Sequence, residues 1–337
     1  MNKERELYWD SLKFVLIFLV IYGHVVGSYC PVGSFNRAIH NLIYSFHMPL
    51  FVFVSGRFSQ IKDREKYKKG ILRIFETYIV FQVIWRILEV ATGSEINILL
   101  IAKIIAFPYR ALWYLASLIS WRMIILTIPD KILKVKPLFI FAISLFLCLL
   151  WGFIPMGNYF SIQRTMAFMP FFFMGFYSTR FNVKESINKI PAYWALIVIT
   201  ILFFVVLLYL NINLHTILHC SRSYWSDSAF SPQFSFIARC ILVVSAILMS
   251  IMVMRIVKEW QWMAKWGGQT LFIYIYHLFF ILSLRYGLKC GYIPKQDWLF
   301  IASPICAIIF TIALIVLSRN KFLNIMLNPI SYWTKKK

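Results

Sequence analysis

Charge is what this sequence is short of. Lys, Arg, Asp and Glu make up 14% of its 337 residues, where a soluble domain carries roughly a quarter. With 61% hydrophobic residues and a mean hydropathy of +0.72, that scarcity excludes an ordinary soluble globular fold. Long polar stretches are missing too. None exceeds about 25 residues, too short for a separate soluble domain. The six cysteines (Cys30, Cys148, Cys220, Cys240, Cys290 and Cys306) include no CxxC pair. That leaves no thiolate metal site or redox motif, and no metal is expected. There is no P-loop or Rossmann glycine pattern, no internal repeat and no low-complexity tract. The first apolar run lacks a small-residue cleavage site and carries Lys13 and His24 inside it, so a removable signal is not expected.

What is present is a series of apolar runs of about twenty residues, each long enough to cross a bilayer. The expected fold is all-α: a polytopic integral membrane protein with about ten transmembrane helices, forming a single transmembrane domain over 1–337. The spans fall at about 11–29, 40–58, 72–91, 111–128, 137–154, 165–179, 192–211, 235–255, 268–286 and 297–318. The segment 96–107 is apolar but short, is closed off by Lys103 and Pro108, and reads as interfacial or re-entrant.

The net charge of +22 lies mostly between the apolar runs, so it reads as a topology signal and not as a nucleic-acid surface. With the N-terminus placed in the cytoplasm, the inner segments hold Lys3 to Lys13, Arg57 to Arg73, Arg122 to Lys136, Arg180 to Lys189, Arg255 to Lys265 and Arg319 to Lys337. Together they carry 25 of the 35 Lys and Arg residues. The excess recurs at every inner loop, which places both termini in the cytoplasm and the chain, multi-pass, in the plasma or inner membrane. Cys30, Cys220 and Cys290 fall in external loops, where a disulfide between two of them is allowed. The other three fall in apolar runs and act as small hydrophobes.

The first span holds the most informative pattern. WDSLKFVLIFLVIYGH, from Trp9 to His24, has one charged pair, ten uncharged residues and then a histidine. Eleven helical steps of 100° put Lys13 and His24 on one face, roughly 16 Å apart along the axis, with Asp10 one turn before Lys13. Ionisable groups at such depth are costly and mark candidate functional sites. An imidazole at position 24 can serve as general base, with Asp10 as its partner on the stripe and Lys13 meeting an anionic cofactor from the cytoplasm. The structural alternatives are a histidine bonded to a nearby carbonyl, an Asp10 that caps the helix or pairs with Lys13, and a Lys13 that snorkels.

Further candidates lie along the chain. His47, in SFHMPLFVFVSG, is at mid-span and can face His24 or be structural. The inner cluster Lys62, Arg64, Lys66, Lys68, Lys69 and Arg73 either sets topology or seats phosphates. Arg73 is the favoured contact because it enters a span, although Glu76 is placed to pair with it. Arg86 and Glu89 read as a structural pair. Trp113, in PYRALWYL, reads as a belt residue or part of a site. Arg164 either binds an acceptor at the outer face or anchors its helix. His277, in WGGQTLFIYIYHLFF, either supports catalysis or holds a tyrosine or a carbonyl.

Taken together, these segments resemble membrane acyltransferase family 3, and more narrowly its fucose-4-O-acetylase-like branch. Asp10, Lys13 and His24 match the family's opening motif, and FHMPLFVFVSG, LWYL, MPFFFMG and IYIYH match its later segments in order, over residues 8 to about 280. One departure is that Gly70 stands where the family often has the first of two arginines. Arg73 matches the second, and Lys69 stands beside the gap. The resemblance implies transfer of an acyl group, usually acetyl, from cytoplasmic acetyl-CoA to a hydroxyl of an extracytoplasmic glycan or lipid-linked oligosaccharide. Membrane lipids would surround the enzyme. His24 and Asp10 would be catalytic. Lys13, Lys69 and Arg73 would bind acyl-CoA. His47, Arg164, His277 and Trp113 would be supporting or acceptor-side residues. The rivals are a transporter or flippase of a lipid-linked glycan, which often has repeated halves, and a membrane glycosyltransferase or polymerase. The latter usually needs external acids, and only Glu95, Asp227 and Asp297 are available outside.

Overall fold

The computed structural model describes residues 6–91, 104, 106–156, 159–208, 214–226, 230–296 and 299–334. Among the described residues it is helical, with no strand. The long helices are α1 (Leu7–Val26), α2 (Phe35–Arg57), α3 (Arg64–Ala91), α4 (Trp113–Thr127), α5 (Pro137–Leu150), α6 (Ile162–Tyr177), α7 (Ala192–Leu208), α8 (Pro232–Ile256), α9 (Thr270–Lys289) and α10 (Leu299–Leu317). Each expected span overlaps one of these helices. By length and composition, α1, α2, α8, α9 and α10 can cross a membrane. Glu95, Asp227, Asp297 and most of the segment 96–107 lie outside the described residues. All six cysteines are free thiols, so the disulfide that the sequence allowed is not formed.

One boundary differs from expectation. α3 begins at Arg64, well before the apolar run at 72. The Asp63 carboxylate accepts from the Lys66 and Glu65 N–H groups, at 3.1 and 2.9 Å, and so caps the helix. Those bonds, the Lys66 N–H first, hold this carboxyl below the usual range. The cap draws a charged stretch into the helix that hydropathy alone leaves out.

The chain divides into two compact units. The first is Met1–Val54, Ser178–Leu218 and Cys240–Arg319. At its centre α1 packs against the short helix Gln261–Gly267, α9 and α10. Leu12, Leu16, Ile17 and Ile21 are wholly buried along one stripe of α1. Tyr8 donates to the Met254 carbonyl at 2.6 Å, and Ser11 bonds the Trp260 backbone at 3.2 Å. Lys184 pairs with Glu259, and Arg255 donates to the Ile190 carbonyl at 2.5 Å. The segments 6–13, 184–190 and 254–260, all expected on one side of the membrane, thus meet one another. α10 is built inside out. Ser303, Ala307, Thr311 and Leu314 are buried, while Ile301, Ile305, Ile308, Ile312 and Val316 point outward. Small residues inward and large aliphatic residues outward suit a helix that meets lipid.

The second unit is Ser55–Tyr177, His219–Arg239 and Asn320–Lys337. Here α4 packs between α3 and α6, and α6 packs on α5. Ser117 bonds Thr165 at 2.8 Å, Trp121 donates to the Thr165 carbonyl at 2.9 Å and its ring stacks on Phe172. Gly56 lies against the backbone of α6, where a Cβ would stand 2.0 Å from the Phe172 carbonyl oxygen. Arg64 meets Asp130 at 3.5 Å, which joins two segments expected on the inner side.

The C-terminal helices Lys321–Leu327 and Pro329–Thr334 dock on α3. Thr77 donates to Asn328 at 3.2 Å. The Glu76 carboxylate accepts from the Ile330 N–H and from the Ser331 N–H and hydroxyl, the last at 2.7 Å. It caps a helix far along the chain, and the ion pair with Arg73 that its spacing allowed is not formed. Glu76→Ala is expected to cost this docking about 1–2 kcal/mol. Amide exchange at Ile330 and Ser331 should then speed up roughly tenfold. Unchanged exchange would mean the carboxylate is not what holds the terminal helix.

Candidate functional site

In the first unit, α1, α2 and α9 bring together four of the six histidines. His40, Tyr44 and His47 recur on α2 at spacings of four and three, which places them on one face. The Tyr44 ring stacks on His40 at 4.0 Å and stands edge-on to His47 at 4.7 Å. Its hydroxyl is 3.4 Å from His24 Nδ1. The His24 ring lies 5.1 Å from that of His277. Two glycines on α1 permit this approach. A Cβ on Gly23 would stand 3.1 Å from the Tyr44 ring, and one on Gly27 would stand 3.0 Å from the His40 ring. Their four-residue spacing is the small-residue pattern that lets membrane helices close up.

The tautomers follow from the partners. His47 Nδ1 lies 2.7 Å from the Ile43 carbonyl and His277 Nδ1 lies 2.5 Å from the Tyr274 carbonyl. A carbonyl only accepts, so in the neutral rings both Nδ1 atoms carry the proton and both Nε2 atoms present a lone pair. His277 is wholly buried, and its Nε2 has no hydrogen-bond partner. His24 differs from these neighbours in being only half-buried. It is the most exposed of the four histidines.

At the other end of α1, Asp10 is 7% exposed and pairs with Lys13 at 2.8 Å. It lies inside the first helical turn and is not the cap. Gly267 presses on its backbone: a Cβ there would meet the Asp10 carbonyl oxygen at 2.2 Å. The pair and the imidazole sit at opposite ends of one helix, as the spacing predicts.

The other expected residues belong to the second unit. Lys69 and Arg73 are exposed on α3, one turn apart, and pair with no carboxylate among the described residues. Arg164 and Trp113, expected separately, come together. The Arg164 guanidinium lies 4.9 Å over the Trp113 ring, and its Nε donates to the His219 carbonyl at 3.1 Å. Left-handed backbone at Arg110, Phe160, Ser161 and Cys220 flanks this pair in sequence. Non-glycine residues in that region store strain and are frequent at ligand sites. Arg86 and Glu89 form the expected structural pair, at 2.6 Å.

Sequence reasoning missed His40 and Tyr44. Their spacing with His47 was the available signal, hidden in a chain whose residues are 18% aromatic.

Against known families, residues 6–319 match a family model described as an acyltransferase domain. The match runs through both units. No curated protein and no solved structure matched.

Proposed function

The chain belongs to membrane acyltransferase family 3, and from that premise we propose that it is an O-acyltransferase that carries acetyl from cytoplasmic acetyl-CoA. The acceptor is a hydroxyl of a cell-surface glycan or exopolysaccharide, or of the lipid-linked precursor. The setting is the plasma or inner membrane, and the task is modification of an envelope polysaccharide. The observation that carries this reading is the half-buried His24 imidazole at the far end of a buried helix, 3.4 Å from the Tyr44 hydroxyl and backed by the His277 ring.

In this mechanism the neutral His24 takes the proton from the acceptor hydroxyl. The oxygen forms a bond to the acyl carbon, the carbon–sulfur bond breaks, and the thiolate recovers the proton from the imidazolium. His47 and His277, each fixed by a backbone carbonyl, hold the surroundings of that ring neutral and rigid. Asp10 holds Lys13, and Lys13 attracts the anionic donor. Lys69 and Arg73 bind the donor's phosphates, for which exposed, unpaired cations are suited. Trp113 and Arg164 meet the acceptor sugar.

Tyr44 orients His24 in this scheme. Tyr44→Phe removes the hydroxyl and keeps the ring stack, so kcat should fall about threefold to tenfold, what one weak neutral hydrogen bond is worth, while KM for acetyl-CoA stays put. A changed KM with intact kcat would deny Tyr44 that role. The reading as a whole is tested with labelled acetyl-CoA and membranes that contain the protein and a candidate glycan. Label should appear on the glycan. Movement of unlabelled glycan across the membrane, with no transfer, would make the protein a transporter instead.

A further inference from the structure

Arg122, on α4, is held by a hydroxyl and an aromatic ring. Its Nε donates to the Ser59 hydroxyl at 3.1 Å, and its guanidinium lies 5.8 Å from the centre of the Tyr67 ring. No carboxylate pairs with it among the described residues. Ser59 is wholly buried and passes its own proton to the Ser55 carbonyl at 2.7 Å, so it positions the guanidinium without neutralising it. A part-buried cation held this way is costly unless an anion completes it.

Two further observations say where that anion would lie. The first is Gly70 on α3. The single atom that a Cβ at this position would approach within 4 Å is Arg122 Nη1, at 3.8 Å. With no side chain at position 70, α3 offers nothing there to cover the guanidinium. The second is Tyr67, one turn earlier on α3. It is 9% exposed, and its hydroxyl is buried with no hydrogen-bond partner. A guanidinium fork and an unused phenolic donor therefore lie beside a helix position that carries no side chain. At 100° per residue, Lys66 and Arg73 flank Gly70 within about 60° on the helix surface, and both are exposed. Planar forked donors, a hydroxyl and flanking cations are what a tetrahedral phosphate oxyanion takes up.

The geometry points to a phosphate-binding site made by Arg122, Tyr67 and the gap at Gly70, with Arg73 and Lys66 at its rim. Assignment of that phosphate to the acyl-CoA donor rests on the proposed function; a phospholipid headgroup offers the same chemistry. On the donor assignment, a residue from α4 supplies the charge that α3 lacks at position 70.

The test uses the full-length protein purified in a neutral detergent, with coenzyme A and inorganic pyrophosphate as titrants and retained phosphatidylglycerol measured by mass spectrometry. Arg122→Gln should weaken binding of both titrants roughly tenfold to a hundredfold, what a charge-assisted hydrogen bond is worth. Gly70→Leu keeps every cation, raises helix propensity and fills the gap, so it should weaken binding as much in a protein at least as well folded. If both variants instead lose phosphatidylglycerol while coenzyme A binds as before, the phosphate site stands and its ligand is the lipid. If wild type binds pyrophosphate through Arg122 but never coenzyme A, the site stands and the acyl-CoA reading falls. If both variants bind coenzyme A and pyrophosphate and retain lipid like wild type, the site does not exist.

Discussion

His24→Ala is expected to remove acetyl transfer, by a factor of at least about a hundred and up to ten thousand, the range a general base contributes. Its imidazole is half-buried, while the other three histidines of the group are buried at 3% exposure or less. Those rings bond a neighbouring residue: His47 and His277 are tied to backbone carbonyls and His40 faces Asn41 at 3.3 Å. None of them is placed to inherit the task. The loss should fall on kcat, with KM for acetyl-CoA little changed, because the proposed contacts to the donor's anionic end are Lys13, Lys69 and Arg73. His24→Gln preserves size and a polar contact to Tyr44 but cannot take up a proton, so it should be equally inactive. Both variants should insert into the membrane and bind coenzyme A. Transfer at wild-type rate in either would remove the general-base role outright.

The second large effect is structural. Gly267→Ala adds one methyl group, but that methyl would stand 2.2 Å from the Asp10 carbonyl oxygen and 2.7 Å from its carbon. Both atoms are backbone within α1, so no side chain can turn aside. The short helix Gln261–Gly267 or α1 must shift. The cost is expected at about 3 kcal/mol, the upper end for overpacking, visible as a drop in Tm. Because the displaced atoms are those of Asp10, the Lys13 pair should move as well, and transfer should fall in the fraction that still folds. An alanine variant with unchanged Tm would show that the two helices are not in backbone contact.

Much of this was legible in the sequence because the forces are local or periodic. Bilayer-length apolar runs bounded by charge set the positions of α1 to α10. An i, i+3 spacing set the Asp10–Lys13 and Arg86–Glu89 pairs. The eleven-residue step from Lys13 to His24 put the pair and the imidazole on one helix with a common face. What stayed hidden depends on distant segments meeting. Nothing near Glu76 says that its partner is Ser331, and the spacing to Arg73 suggested the wrong one. Nothing around Gly70 says that Arg122 stands opposite. Tyr44 is one tyrosine among eighteen until α1 is laid against it.

α3 carries too much charge and too little hydropathy along its sequence to read as a membrane helix. Its outward positions Leu72, Phe75, Val83 and Ile87 are exposed and apolar. Thr77, Gln82 and Arg86 turn the other way. Gln82, wholly buried, donates to the Tyr78 hydroxyl and to the Ile104 and Phe107 carbonyls, and accepts from the Tyr109 N–H at 2.8 Å. Arg86 reaches the Phe107 carbonyl at 3.0 Å. Irregular backbone survives beside hydrocarbon only when its amides and carbonyls are matched within the protein, and Gln82 does that for three of them. A leucine there would look like an improvement on any hydropathy scale, and it would take a partner from each of those three groups, with only the Phe107 carbonyl keeping Arg86. In this helix polarity is a form of insulation, and greasiness alone misjudges which residues a bilayer tolerates.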